Sequence, residues 1–273
     1  MKLKIIPFLI VATIIGSCTQ KKPAETTVLG IGTDYDLVPN KLNGKVKEVK
    51  ELNYWAVEKN GNLTKGDLMS KKDLDSISST KNLKAYFNEA GLITKYEVLD
   101  RENVFQTTLF TIENGRYARL EYKIRDSSTY YGIPKYDEKG YLIGGTGYRP
   151  AVDTIVNKQV LTHDGKGNIT KYEYFNSKDA RTAYQISTPD DKGNVLEVKF
   201  YDRYDSLRYS IKNIYDAKDN IIRQETSIEK PKSTVTWDYK DLKLDDHGNW
   251  IEEQAIIDNG KYKVMIERTY VYY

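Results

Sequence analysis

From Lys84 onward, apolar and polar residues alternate with a period of two. In 194–201, Leu196, Val198 and Phe200 share one side while Glu197 and Lys199 share the other. In 168–175, Thr170, Tyr172 and Tyr174 occupy the same columns, opposite Lys171 and Glu173. The runs Leu207 to Ile211 and Val235 to Tyr239 keep step. This period predicts antiparallel strands with one apolar, aromatic face and one charged, solvated face.

A recurring turn separates the strands. Its clearest copy is Asp164-Gly165-Lys166-Gly167-Asn168, and it returns at 137–140, 190–193, 216–219 and 245–248, with weaker copies at 58–61 and 88–91. The leading Asp suits the first position of a type I turn, and the Gly three places on suits the left-handed residue of a G1 bulge. Asp219 stands in the Gly column, and Asp is among the few residues that tolerate that geometry. The column falls at 61, 91, 115, 140, 167, 193, 219 and 248. A period of this size marks stacked supersecondary units, here hairpins, each unable to bury its apolar face alone. The expected fold is all-β: an antiparallel meander of about eight repeated hairpins forming one strongly twisted or rolled sheet.

Two stretches depart from the pattern. Residues 66–86 place Leu68, Leu74 and Ile77 more like one face of a short helix, an excursion from the sheet that is either an inert insertion or a lid. In 140–150, Gly140, Gly144, Gly145, Gly147 and Pro150 are expected to weaken or bulge a strand.

The N-terminus is of another kind. Lys2 and Lys4 precede an apolar run, Ile5 to Gly16, too short to span a bilayer and fitting a signal-peptide core. The run ends at Ile15-Gly16-Ser17-Cys18, which resembles the lipobox of bacterial lipoproteins and holds the only cysteine. That resemblance implies cleavage before Cys18 and lipidation of its thiol and amino group. Thr19 after the cysteine implies delivery to the outer membrane, periplasmic or surface-facing. Pro23, Gly30, Gly32 and Pro39 read as a tether. The expected organisation is a signal peptide over 1–17, lipidated Cys18 and a tether over 18–40, and one β domain over 41–273.

Tyr136-Asp137, Tyr215-Asp216 and the spaced Asp-x-Lys-Gly-Asn turns resemble the YD repeats of RHS proteins. The closing stretch from Asp245 to Tyr273 looks like the last repeat of RHS-repeat-like lipoproteins. The resemblance implies a stack of hairpins over 45–273. It does not carry the family's encapsulating role, because the chain is too short to enclose a cargo domain.

Composition narrows the chemistry. Of 42 basic and 39 acidic residues, Lys2 and Lys4 lie in the signal peptide, so the remainder is near neutral and offers no footprint for nucleic acid. His163 and His247 sit in or beside turns and read as turn residues rather than bases. The pairs Asp190-Asp191 and Asp245-Asp246 suggest calcium, yet turn capping accounts for the column without metal. No catalytic, cofactor or metal site is expected. Trp55, Trp237 and Trp250 are the candidate ligand contacts, with core packing or end-capping as the alternative. The expectation is a non-enzymatic, lipid-anchored scaffold or binding module for a protein or glycan partner. The alternatives are an accessory of an RHS-type contact or toxin system and, last, a carboxylate-based hydrolase.

Overall fold

The computed structural model describes residues 42–77 and 81–273. The signal peptide, Cys18 and the tether over 18–40 lie outside the described residues. Seventeen strands form one sheet: β1 (Val46–Lys59), β2 (Asn62–Leu68), β3 (Asn82–Phe87), β4 (Ile93–Asp100), β5 (Asn103–Glu113), β6 (Arg116–Ile124), β7 (Ser127–Tyr136), β8 (Leu142–Arg149), β9 (Thr154–His163), β10 (Ile169–Asn176), β11 (Arg181–Pro189), β12 (Val195–Asp202), β13 (Leu207–Tyr215), β14 (Ile221–Glu229), β15 (Lys232–Leu244), β16 (Trp250–Ile257) and β17 (Tyr262–Tyr272). A single helix, α1 (Lys71–Ile77), joins β2 to β3.

The expected twisted or rolled sheet of about eight hairpins is corrected: the sheet closes into a barrel. From β3 to β17 each strand pairs antiparallel with the next, and β1 then pairs with β17 on one side and β3 on the other. Sixteen strands therefore form the ring, and β2 pairs only with β1. Closure satisfies the backbone N–H and C=O groups of both sheet edges, which an open meander leaves exposed. The long first strand makes it possible: Val46 to Trp55 lies against β17, while Tyr54 to Lys59 runs on into a hairpin with β2.

Because every connection reverses the chain, the two ends of the barrel differ. One end, the turn rim, collects the links β3–β4, β5–β6 and so on to β15–β16, together with the start of β1 and the end of β17. All the Asp-x-x-Gly turns of the ring are there. The repeat of two strands per period thus places one kind of turn at one end. The other end, the helix rim, carries the remaining links and α1.

The alternation sorts side chains into an inner and an outer wall. Facing positions run continuously around the ring: Tyr96 with Thr108, Phe110 with Leu120, Leu161 with Tyr172, Gln185 with Phe200, Trp237 with Ile257 and Arg268 with Glu51. All of these point inward and all are buried. Tyr172 and Gln185, on adjacent strands, are 0% and 1% exposed, so side chains fill the interior at that level. Each large apolar side chain buried this way contributes about 1.5–3 kcal/mol. Some inner polar groups are bonded across strands: the Asn213 amide donates to the Val195 carbonyl and that of Gln224 to Asn213 Oδ1.

One expectation about local structure changes: the excursion over 66–86 is shorter than expected, since 82–87 is a full strand of the ring. The glycine-rich stretch forms a strand, β8, paired on both sides, with a bulge as expected, since Lys135 faces Gly144 and Tyr136 faces Leu142. There a Cβ on Gly147 would lie 2.1 Å from the Tyr130 hydroxyl and 2.4 Å from Asn157 Oδ1. The glycine makes room for an inward tyrosine.

Candidate functional site

The turns are built alike. At 164–168, the Asp164 N–H donates to the Asn168 carbonyl and the Gly167 N–H to the Asp164 carbonyl. Asp164 Oδ1 accepts from the N–H groups of Lys166 and Asn168, while the Asn168 amide donates to Oδ2 at 2.9 Å. The same set recurs at Asp190 with Asn194 and at Asp216 with Asn220. Gly167 has φ +86° and Asp219 φ +66°, the left-handed geometry that the column requires. The Asn after the glycine is visible in the sequence motif, but its side-chain bond back to the Asp was not foreseen there.

These carboxylates are engaged by backbone and amide donors, which leaves little freedom for metal ligation or proton transfer. The Asn220 side-chain donor holds the Asp216 carboxyl below its usual range, against a smaller push upward from burial, with the backbone N–H groups of Asn220 and Lys218 adding to the effect. Adjacent turns are linked along the rim, Lys166 Nζ reaching Asp191 at 2.9 Å and Lys192 Nζ reaching Asp219 at 2.8 Å. Among the described residues no group of three or more His, Cys, Asp or Glu side chains could hold a metal.

The last turn is different, and it seals the ring. Asn249 turns to the chain's start: its Oδ1 accepts from the Asn43 N–H at 2.7 Å and its amide donates to the Asn43 carbonyl. The Tyr272 hydroxyl takes its place on Asp245 and also receives the Asn249 amide. His247 stacks on Tyr272 with ring centroids 4.0 Å apart, a packing role at the seam. His163 lies beside Tyr141, and burial pushes its pKa down, opposed by Asp137 and Asp164.

The outer wall is charged around most of the ring. Lys95 pairs with Glu97, Lys123 with Glu121, Lys171 with Glu173, Lys199 with Glu197 and Arg223 with Asp238. Tyrosines lie among these charges, although the sequence assigns the aromatics to the other face. Tyr184 and Tyr201 stack at 4.7 Å with Arg181 over Tyr184, and Tyr131 and Tyr148 stack at 4.9 Å with Arg119 over Tyr131.

The three tryptophans border one apolar cluster at different heights, Trp55 and Trp237 toward the helix rim and Trp250 at the start of β16 near the turn rim. Trp237 is buried, and Trp55 and Trp250 pack against the same cluster. That cluster joins Met69, Leu74 and Ile77 of the α1 excursion to inner-wall Ala255, Ile257, Val264 and Ile266. The excursion therefore folds over the interior at the helix rim. Ser70 caps α1, its N–H and hydroxyl both donating to Asp73.

No protein-family model and no curated protein matches the chain. Among solved structures, a porin-like protein from Bacteroides uniformis aligns at TM-score 0.50 and 10% identity, over 84% of this chain and 99% of that one. A porin-like protein from Bacteroides vulgatus aligns at TM-score 0.37 and 13% identity, over 83% and 98%. A TcdB2–TccC3 structure aligns at TM-score 0.32 and 7% identity, over 73% of this chain and 13% of that one. At these identities the Bacteroides uniformis likeness speaks to the barrel fold alone.

Proposed function

We propose that this chain is a non-enzymatic, lipid-anchored barrel of the outer membrane that stands in water, and that its outer wall binds a protein or glycan partner. The carrying observation is the charged outer wall. A barrel that spans a bilayer presents an apolar band about 25 Å tall between aromatic girdles, and Lys or Arg on its lipid face at the midplane costs about 2–4 kcal/mol each. Here Lys95, Lys123, Lys171, Lys199 and Arg223 occupy outward positions, paired with acidic neighbours, and stand among the outward aliphatics Ile133, Val160 and Ile186, while the largest fully buried side chains fill the interior. This arrangement suits a barrel surrounded by water. Attachment then falls to Cys18, whose lipobox resemblance supplies the anchor. The turn carboxylates, held by backbone N–H groups, favour a scaffold over a hydrolase.

The stacked pair Tyr184–Tyr201, with Arg181 over the Tyr184 ring, is the surface best suited to a planar or sugar-like partner. The test is binding of the lipidated protein to purified envelope polysaccharides and proteins. Tyr184→Ala and Tyr201→Ala should weaken the interaction while the barrel stays folded. Absence of binding in both arms, or binding indifferent to these substitutions, would count against the reading.

A further inference from the structure

The turn rim carries a group of exposed aliphatic side chains on neighbouring strands. Leu196, Ile214, Ile222, Leu244 and Val271 are 41–52% exposed, and all lie within a few residues of the turns or of the end of β17. They occupy one sector, on β12, β13, β14, β15 and β17, which adjoins the start of β1. The sequence gives no reason to group them, because alternation places Leu196 with inward Val198. A bulge accounts for the change: Thr188 faces Glu197 and Pro189 faces Val195, so Leu196 is the extra residue, and Val195 takes the buried position instead. The same device releases Ile222, since Ile214 faces Arg223 and Tyr215 faces Ile221. Val271 is paired with outward Glu48.

Other exposed aliphatics stand singly, Ile133, Val160 and Ile186 on the wall and Val104, Val152 and Ile228 toward the helix rim, whereas these five lie on neighbouring strands at one end. Its neighbours are informative. The described chain begins beside it, with Asn43 bonded to Asn249, so the segment that leads back to Cys18 leaves the barrel there. Exposed Tyr273 lies at the same edge with Lys47 over its ring. Lys243 sits beside Leu244 and pairs with Glu252 at 2.5 Å. Of the nearby carboxylates, Asp216 and Asp245 are taken up by turn N–H groups and Asp219 by Lys192.

We infer that this sector of the turn rim rests on the surface of the bilayer to which the chain is anchored, Leu196, Ile214, Ile222, Leu244 and Val271 entering the headgroup boundary. The barrel then stands on its turn rim and points the helix rim away from the membrane. The inference rests on the lipid-anchor reading, because the sector is too small to hold the protein at a membrane unaided and the acylated cysteine supplies the attachment. Contact through aliphatic side chains needs no anionic lipid, so it persists on neutral phosphatidylcholine.

The test uses the full lipidated chain on phosphatidylcholine vesicles. Cys18 is the sole cysteine and is acylated in this reading, so Ile222→Cys at the rim and Val152→Cys at the opposite end each offer one site for an environment-sensitive fluorophore. Nitroxide-labelled lipid should quench the Ile222 label several-fold more strongly than the Val152 label. Combining Ile214→Glu and Val271→Glu should abolish that difference, with co-flotation and the β-sheet circular dichroism unchanged. Equal quenching at both ends in protein that still floats with vesicles would overturn the inference and leave the anchor standing. Protein that does not float would overturn the anchor reading and the inference with it. Protection of the Ile222 label that is lost on dilution would assign the sector to a second copy of the chain instead.

Discussion

Arg268 and Glu51 are 217 positions apart in sequence and meet inside the barrel at its closing seam. Arg268 Nε lies 2.7 Å from Glu51 Oε2, and Nη2 reaches the same oxygen at 2.7 Å. Both side chains are almost fully buried, and the guanidinium also lies over the Trp250 ring at 3.7 Å. The pair spans β17 and β1, the two strands whose union turns the sheet into a ring. Removing one partner takes the opposite charge away from a group that stays buried. Glu51→Ala or Arg268→Ala should therefore cost about 3–5 kcal/mol in denaturant unfolding. The double change Glu51→Leu with Arg268→Met should recover most of that loss. Additive losses in the double-mutant cycle would show that the two charges are not coupled.

The turn column makes a separate prediction. Gly167 sits at φ +86°, and a side chain in left-handed backbone costs about 1–2 kcal/mol. Gly167→Val should destabilise the barrel by at least that amount, since β-branching is poorly tolerated there. Asp164→Ala removes the acceptor for two backbone N–H groups and the Asn168 amide, so a loss of about 1–3 kcal/mol is expected. Thermal or denaturant melting of either variant checks this.

The same turns set an acid limit. Hydrogen bonds from Asn220 and Lys218 lower the folded-state pKa of Asp216. The side chain and N–H of Asn168 and the N–H of Lys166 do the same for Asp164, there overcoming a burial effect of opposite sign. A group whose pKa falls on folding adds stability above its unfolded pKa, and that stability disappears as pH drops through the folded value. The barrel should hold constant stability from neutral pH to roughly 4, the ordinary range of a free carboxylate, and weaken steadily below it. Asp216→Asn and Asp164→Asn together should flatten this slope in pH-resolved melts.

The α1 excursion offers a local probe. Leu74 is 1% exposed and packs with inner-wall residues at the helix rim. Leu74→Ala should cost about 2–5 kcal/mol. Hydrogen exchange should rise first at α1 and the adjoining ends of β15 to β17, while the turn rim keeps its protection.

Much of this architecture was legible in the sequence. The period of two gave the strands, and Asp-x-x-Gly gave the turns with the correct left-handed column, including Asp219. Both signals are local, so a single sequence carries them. Closure was not legible, because it depends on β1 meeting β17 and β3 across the whole chain, and no local pattern marks an edge strand that finds a partner. The turns of the helix rim were hidden for a different reason. Asp179 and Asp205 take φ +59° and +60° in links that start from Asn176 and Asp202, so the same grammar is written there without glycine. The exposed rim sector was missed because a bulge shifts Leu196 and Ile222 by one column, and one column exchanges the two walls. The tryptophans were visible as candidates, but their meeting around one cluster depends on β1 closing against β17.

The central claim is that the barrel is built for water and that the membrane holds it only by its anchor. The most direct measurement is detergent phase partitioning of a secreted form with residues 1–17 replaced by a cleavable signal and Cys18→Ser. The account predicts that this form, folded by circular dichroism, enters the aqueous phase and stays monomeric without detergent, while the lipidated chain enters the detergent phase. A folded Cys18→Ser protein that still partitions into detergent would contradict it, because the wall itself would then be the surface that meets lipid.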